Sequence, residues 1–251
     1  MEKTLWQELA KLKQHTWVDL THPLTEDSPY WEGMPKGVVD LNQTAVTFEE
    51  MNLWIQTQKF PGQFGTHIDY PAHFVPDKGA RFAEDFDVKD TVLPLVVLDL
   101  SKQSAENCDY ELTVQDILDH EAKYGRIPEG AFVAMRTDWY KRWPDGAALS
   151  NADAAGHEHF PGWTMETLKF LFDERNVAAT GHETLDTDAP ITSTAVGDLQ
   201  CERYVLARDK FQVELLANLD KVPPVGAIIC ISAMRIVGAN GLPVRAYAIL
   251  P

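Results

Sequence analysis

The sequence predicts an α/β domain built on a mixed sheet. Three observations predict it. Short apolar runs of strand length alternate with segments of helical spacing along the whole chain. Several strand segments lie close together in sequence, which favours antiparallel neighbours beside any parallel pairs. The 251 residues suit one large domain, and neither a repeat nor a low-complexity linker divides them. A single domain is therefore expected over residues 1–251.

Leu5, Leu9 and Leu12 recur at helical spacing and predict an amphipathic helix near the start. Trp17-Val18-Asp19-Leu20 reads as a strand. Residues 51–58 alternate apolar and polar and are expected to be extended. Residues 93–100 form an apolar run for a buried strand, with Pro94 near its start because proline cannot donate to a ladder. Thr113-Val114-Gln115-Asp116 is a helix-starting box ahead of Ile117 and Leu118. Residues 131–135 form another apolar strand. Thr164 is placed to cap a helix carrying Leu168, Leu171 and Phe172, and Asp198 to cap one running to about Arg208. Strands are expected at 211–215, 227–232 and 244–250.

Composition narrows the function classes. Hydrophobic residues make up 45% and charged residues 24%, as in a globular protein with a buried core. Acidic residues number 38 against 22 basic, a formal charge of −16, and that field repels polyanions, so no nucleic-acid partner is expected. No stretch approaches about 18 uncharged apolar residues, so no membrane span is expected. Met1-Glu2-Lys3-Thr4-Leu5-Trp6 lacks the basic-then-apolar layout of a secretory signal, which predicts a cytoplasmic protein. Cys108, Cys201 and Cys230 are sparse and widely spaced, as in a reducing compartment. They form no CxxC pair, and no thiolate zinc site is expected. Serine-nucleophile elbows and phosphate-cradling or dinucleotide glycine motifs are missing.

The chemistry concentrates in Gln63-Phe64-Gly65-Thr66-His67-Ile68-Asp69-Tyr70-Pro71-Ala72-His73-Phe74. In an extended chain side chains two apart share a face, so His67 and Asp69 point the same way and Gln63 follows them. Imidazole nitrogen and carboxylate oxygen are donors for zinc, manganese or iron. Pro71 redirects the chain and sets His73 beside such an ion. Elsewhere, His157 and His159 form a His-x-His pair, read as metal-binding or, with more weight, as part of a polar loop. His182 and Glu183 follow the apolar run Val177-Ala178-Ala179, at the carboxyl end of a strand where substrates are commonly held. His22, before Pro23, reads as a turn residue, and His120 as a helix-face residue with no role.

The 63–74 string resembles the signature of the cyclase-like metal hydrolase family, which includes bacterial kynurenine formamidases and isatin hydrolases. The family pattern is His-x-Gly-Thr-His-x-Asp-x-Pro-x-His-Phe, and Gln63 replaces its first histidine. Asp19-Leu20-Thr21-His22-Pro23-Leu24, Phe160-Pro161-Gly162, Glu183-Thr184-Leu185 with Asp188, and Gly241-Leu242-Pro243-Val244-Arg245 are similar to further family segments in the same order. The resemblance implies a swivelling β/β/α fold and a homo-oligomer, dimer or tetramer. It implies that His67 and Asp69 ligate metal, that His73 is the catalytic acid/base, and that Glu214 is a late carboxylate ligand. Glu202 stands where the formamidases have a second-metal histidine. Gln63 and Glu202 are harder donors than imidazole and, with Asp69 and Glu214, favour manganese or magnesium; the cofactor is expected to be one or two divalent ions, Mn2+ or Zn2+.

The implied reaction is hydrolysis of a C–N bond in a small cyclic or N-acyl amide by metal-activated water, with amides, imides and lactones as the substrate range. Thr66 is expected to help hold the oxyanion, and Phe160, His182 and Glu183 to touch substrate. Two other readings stand open: a scaffold that only binds a small molecule, its metal site weakened at Gln63 and Glu202, and a metal-dependent cyclase or dehydratase.

Overall fold

A computed structural model describes residues 4–75 and 79–251. The strands are β1 (Trp17–Asp19), β2 (Asp40–Val46), β3 (Ile55–Lys59), β4 (His67–Asp69), β5 (Val92–Asp99), β6 (Phe132–Arg136), β7 (Ala179–His182), β8 (Phe211–Glu214), β9 (Ala227–Ser232), β10 (Gly241–Pro243) and β11 (Arg245–Ile249). The helices are α1 (Leu5–Leu12), α2 (Phe48–Met51), α3 (Ser101–Glu106), α4 (Val114–Tyr124), α5 (Gly146–Ser150), α6 (Met165–Lys169), α7 (Pro190–Val196) and α8 (Gln200–Ala207).

Nine strands form one mixed sheet in the order β1-β11-β9-β5-β6-β7-β8-β4-β10. Its centre, β5-β6-β7-β8, is parallel, because helices carry the chain back between these strands. The flanking pairs are antiparallel. Only Val244 separates β10 from β11, yet the two stand near opposite ends of the strand order. The sheet therefore curls back on itself, and the Val244 N–H donates to the Thr66 carbonyl across the closure (2.9 Å).

Strand alternation divides the core in two. Leu95, Val97, Phe132, Ala134 and Val213 point inside the curl, where Val18, Ile68, Ala246 and Ala248 from the sheet's outer strands meet them. Val96, Leu98, Val133 and Met135 point outward beneath Ile117, Leu168 and Val205 of α4, α6 and α8. Both faces of the central strands are buried, which is why their sequences are continuous apolar runs rather than alternating ones.

The mixed α/β architecture expected from the sequence is present, and most expected elements fall within a residue or two of their predicted places. Thr113 and Thr164 cap α4 and α6 through their side chains, accepting from the backbone N–H of Asp116 and Thr167. Three expectations need correction. The extended segment at 51–58 shrinks to β3, because Thr47 and Glu50 form a capping box that starts α2. The start helix α1 exists but buries nothing; Leu5 and Trp6 are exposed. Asp198 does not cap α8: it pairs with Arg203, and Asp188 takes the capping task, accepting from the backbone N–H groups of Cys201 (2.8 Å) and Glu202 (3.0 Å).

Gly181 lies on β7 where a Cβ would stand 2.5 Å from Phe132 Cζ and 2.8 Å from the Val213 carbonyl oxygen. Gly181→Ala is expected to lower stability by about 1–3 kcal/mol through overpacking. The midpoint of urea denaturation measures it, and an unchanged midpoint contradicts the packing described.

Candidate active site

The site begins on β4. His67 and Asp69 lie on one face of this strand, while Ile68 faces the core. Antiparallel register sets His67 opposite Glu214 on β8 and Asp69 opposite Gly241 on β10. Gly241 leaves room there for the Gln63 amide: a Cβ would fall 2.0 Å from Gln63 Nε2 and 3.1 Å from Asp69 Oδ1 and push that amide off Asp69. The turn Pro71–His73 folds His73 back toward the strand. The first turn of α8, held by Asp188, supplies Glu202. Asp186 arrives from the loop after β7.

His67 Nδ1 lies 2.8 Å from the Gly65 carbonyl, so Nδ1 carries the hydrogen and donates it. Its Nε2 is then the ring nitrogen that faces the site, 3.3 Å from Asp69 Oδ2 and 3.5 Å from Glu214 Oε2. Three electron-rich atoms face one another in a buried space, and Asp69 Oδ2 has no hydrogen-bond partner. That arrangement is repulsive unless a proton or a cation sits between the atoms. His73 Nε2 lies 3.9 Å from Asp69 Oδ1 and 3.9 Å from Glu202 Oε1. Donor atoms of Asp186, Glu202 and Glu214 also come within 4.8 Å of one another. Among the described residues, Asp69, Glu202 and Glu214 find only histidines as ion-pair partners. Like charges about 4 Å apart repel by about 4 kcal/mol at a protein-like dielectric. The donor set therefore fits a dication.

The protonation behaviour follows from this crowding. Burial, then the charges of neighbouring carboxylates, pushes Glu202 and Glu214 well above the usual carboxylate range and Asp186 up to about 7. Burial works against charge on both His67 and Asp69, but their mutual attraction wins: His67 is held above its ordinary value and Asp69 below. Burial lowers His73 despite the pull of Asp69.

The other expected site residues fall into two groups. Gln63 reaches the site, but its amide Nε2 donates to Asp69 Oδ1 (3.1 Å). An amide nitrogen does not ligate a cation, so in this rotamer Gln63 orients Asp69. His182 is fully buried behind Glu214, with Nε2 3.4 Å from Glu214 Oε1 and Nδ1 accepting from the Trp163 indole (3.3 Å). Glu183 turns to Thr137, accepting from its N–H (2.9 Å) and hydroxyl (3.2 Å). The Thr66 hydroxyl donates to the Leu215 carbonyl (2.6 Å) and accepts from the His22 N–H (3.0 Å), so it is not free for an oxyanion. Phe160 is fully buried among Trp139, Leu149 and Leu215. His22, expected as a turn residue, is buried and stacks on Trp143 at 4.5 Å.

Three contributors went unread in the sequence. Asp186 shares the alternation of Asp186-Thr187-Asp188. Gln212 lies two residues before Glu214 and so on its face of β8; it donates to Glu214 Oε1 (2.9 Å). Thr187 bonds both Gln212 Oε1 (2.7 Å) and Glu214 Oε1 (3.3 Å).

Comparison with known proteins agrees with this geometry. The model of the Cyclase family matches residues 18–189. The chain belongs to that family. It is 36% identical over 189 residues to an isatin hydrolase of Roseibium aggregatum, covering 74% of this chain and 71% of that one. A kynurenine formamidase of Bacillus cereus is 27% identical over 124 residues, covering 47% of this chain and 57% of that one. Among solved structures, isatin hydrolase A from Labrenzia aggregata, bound to benzyl benzoate, superposes with a TM-score of 0.88 at 33% identity, over 99% of both chains. An isatin hydrolase bound to the product analogue thioisatinate gives 0.89 at 29% identity, over 99% of this chain and 100% of that one.

An acid with a raised folded pKa stabilises the fold while protonated, and that contribution is lost as pH rises through the raised value. For Asp186 the window runs from its ordinary 3.8 to about 7. In chelator, the melting temperature is expected to fall across this window, and Glu202→Gln to flatten the fall; Mn2+ is expected to raise the curve most at its upper end, where the carboxylates are charged. Thermal scans across pH check this, and identical slopes for Glu202→Gln and the parent chain contradict it.

Proposed function

We propose that the chain hydrolyses a C–N bond in a small cyclic or N-acyl amide, with isatin as the first substrate to test, using a divalent cation held by His67, Asp69, Glu202 and Glu214. The observation that carries this reading is His67 Nε2 aimed at two carboxylate oxygens in a buried space. The isatin hydrolase relatives support the substrate class. The oxygen-rich donor set supports Mn2+ ahead of Zn2+, as one ion or two with Asp186 beside the second. Bound there, such an ion polarises a carbonyl and lowers the pKa of a water to about 7.

The protein's own groups supply the proton traffic. His73 is part-exposed at the rim, 27% accessible, so it can meet both water and substrate. Burial keeps its ring neutral near pH 7, ready to accept a proton at Nε2. Asp69 and Glu202, each 3.9 Å away, then stabilise the imidazolium until the proton passes to the leaving nitrogen. The ring meets Phe74 edge-on at 4.9 Å, which limits its rotation. Gln63 fixes the Asp69 carboxylate, while Gln212 and Thr187 fix Glu214. Substrate binding by Phe160 and Thr66 has less support, since both are committed to packing and backbone bonds.

The reading includes assembly into a dimer or tetramer, supported by the exposed apolar side chains of Phe48, Met51, Trp54 and Ile55 around the β2-β3 hairpin. It includes a cytoplasmic location, supported by three unpaired cysteines. No helix of the described residues is long and apolar enough to cross a membrane.

His73→Ala is expected to lower kcat by about 10²-fold or more while leaving bound metal unchanged. Isatin turnover with Mn2+, followed by product mass and by elemental analysis, checks both halves. A product heavier than substrate by one water supports hydrolysis, and a product lighter by one water points to dehydration. A fully active His73→Ala contradicts the assignment.

A further inference from the structure

A second group of donor side chains lies outside the carboxylate centre. His159 follows the exposed turn at Asp153–Gly156, and its Nδ1 is 2.8 and 3.0 Å from the two carboxylate oxygens of Asp109. Cys108, adjacent to Asp109, adds a thiol, and one donor atom of each of these three residues lies within 4.8 Å of the others. On the far side of the ring, Asp153 Oδ2 is 3.8 Å from His159 Nε2 and 3.4 Å from His157 Nδ1. Asp153 is itself held, its Oδ1 accepting from the backbone N–H groups of Ala155 (2.7 Å) and His157 (3.0 Å).

This is the layout of a metal-bound histidine: one ring nitrogen among the ligand atoms, the other turned to a carboxylate. The 2.8 Å gap between Nδ1 and Asp109 is the hydrogen bond of the metal-free pair, which opens by about half an ångström to admit a tetrahedral ion with bonds of about 2.1 Å. Thiolate, imidazole and carboxylate together suit a borderline-soft cation such as zinc better than manganese or magnesium. Cys108 packs against the Trp139, Leu149, Phe160 and Leu215 cluster, which fixes one donor. Asp109 and His159 keep 20% and 29% of their side chains accessible, which leaves an entry path. Asp109 and His159 are 50 residues apart, so no local spacing announces the group.

We propose that Cys108, Asp109 and His159 form a second divalent-cation site, zinc-like in preference, with Asp153 as the outer partner of His159 and water filling the remaining positions. Binding releases the thiol proton, and any proton shared by His159 and Asp109, to solvent; no electrons move. The site reverses the expectation, drawn from the absence of a CxxC pair, that no thiolate takes part in metal binding. It does not depend on the amide-hydrolysis reading.

Cobalt titration of the full chain tests it, because a sulfur-to-cobalt charge-transfer band arises only at a thiolate ligand and the carboxylate centre contains no sulfur. The parent chain is expected to develop this near-ultraviolet band as it takes up one equivalent of Co2+ beyond that held by the carboxylate centre. Cys108→Ala is expected to lose the band and that equivalent. Asp109→Asn, which keeps the thiol and nearly the same shape, is expected to shift the midpoint of the band to at least about tenfold higher Co2+. A saturated parent chain with no such band, or a band that survives Cys108→Ala, overturns the proposal and leaves an ordinary His–Asp ion pair.

Discussion

Asp69, Glu202 and Glu214 share one buried volume with His67, and the mutual repulsion of these groups sets the terms for the whole site. The hydrogen bond from His67 Nδ1 to the Gly65 carbonyl decides the outcome, because it directs Nε2 at two carboxylate oxygens, where it needs a proton or a cation. A folded chain tolerates such a cluster only by protonating it or by placing a cation in it. Raised acid pKa values in Asp186, Glu202 and Glu214 are the metal-free form of the same fact. Cation binding and folding are therefore linked in this protein, each strengthening the other.

The sheet is arranged to create that crowding. Curling brings β4 between β8 and β10, so a three-residue strand is held on both sides. Register then sets His67 against Glu214, and a residue without a side chain, Gly241, against Asp69. The parallel centre contributes from its carboxyl-terminal ends, where β7 leads into Asp186 and β8 ends at Glu214. Polar side chains behind the donors fix their rotamers: Gln63 holds Asp69, and Gln212 with Thr187 holds Glu214. Rigid backing of this kind keeps the donors close before an ion arrives, which lowers the entropy lost on binding.

Much of this was legible in the sequence because it is local. His67 and Asp69 share a strand face, Thr113 and Thr164 announce their helices, and the apolar runs mark the doubly buried strands. Glu202 and Glu214 were placed through resemblance, not through any spacing rule. What stayed hidden depends on distance in the chain. Asp188 caps α8 from 14 residues away, where the adjacent Asp198 looked the better candidate but is drawn to Arg203. Thr66 looked free for an oxyanion until the Leu215 carbonyl, 149 residues away, was seen to claim its hydroxyl. His182 and Glu183 were expected to face substrate together, but neighbours on a strand diverge, one to Glu214 and the other to Thr137.

The most direct test is a crystal soaked in Mn2+ and measured for anomalous scattering. The account predicts a strong peak within bonding distance, about 2.0–2.3 Å, of His67 Nε2 and of carboxylate oxygens from Asp69 and Glu214. A map with no peak at that position, in crystals whose His67 and Asp69 keep the arrangement described, would contradict it.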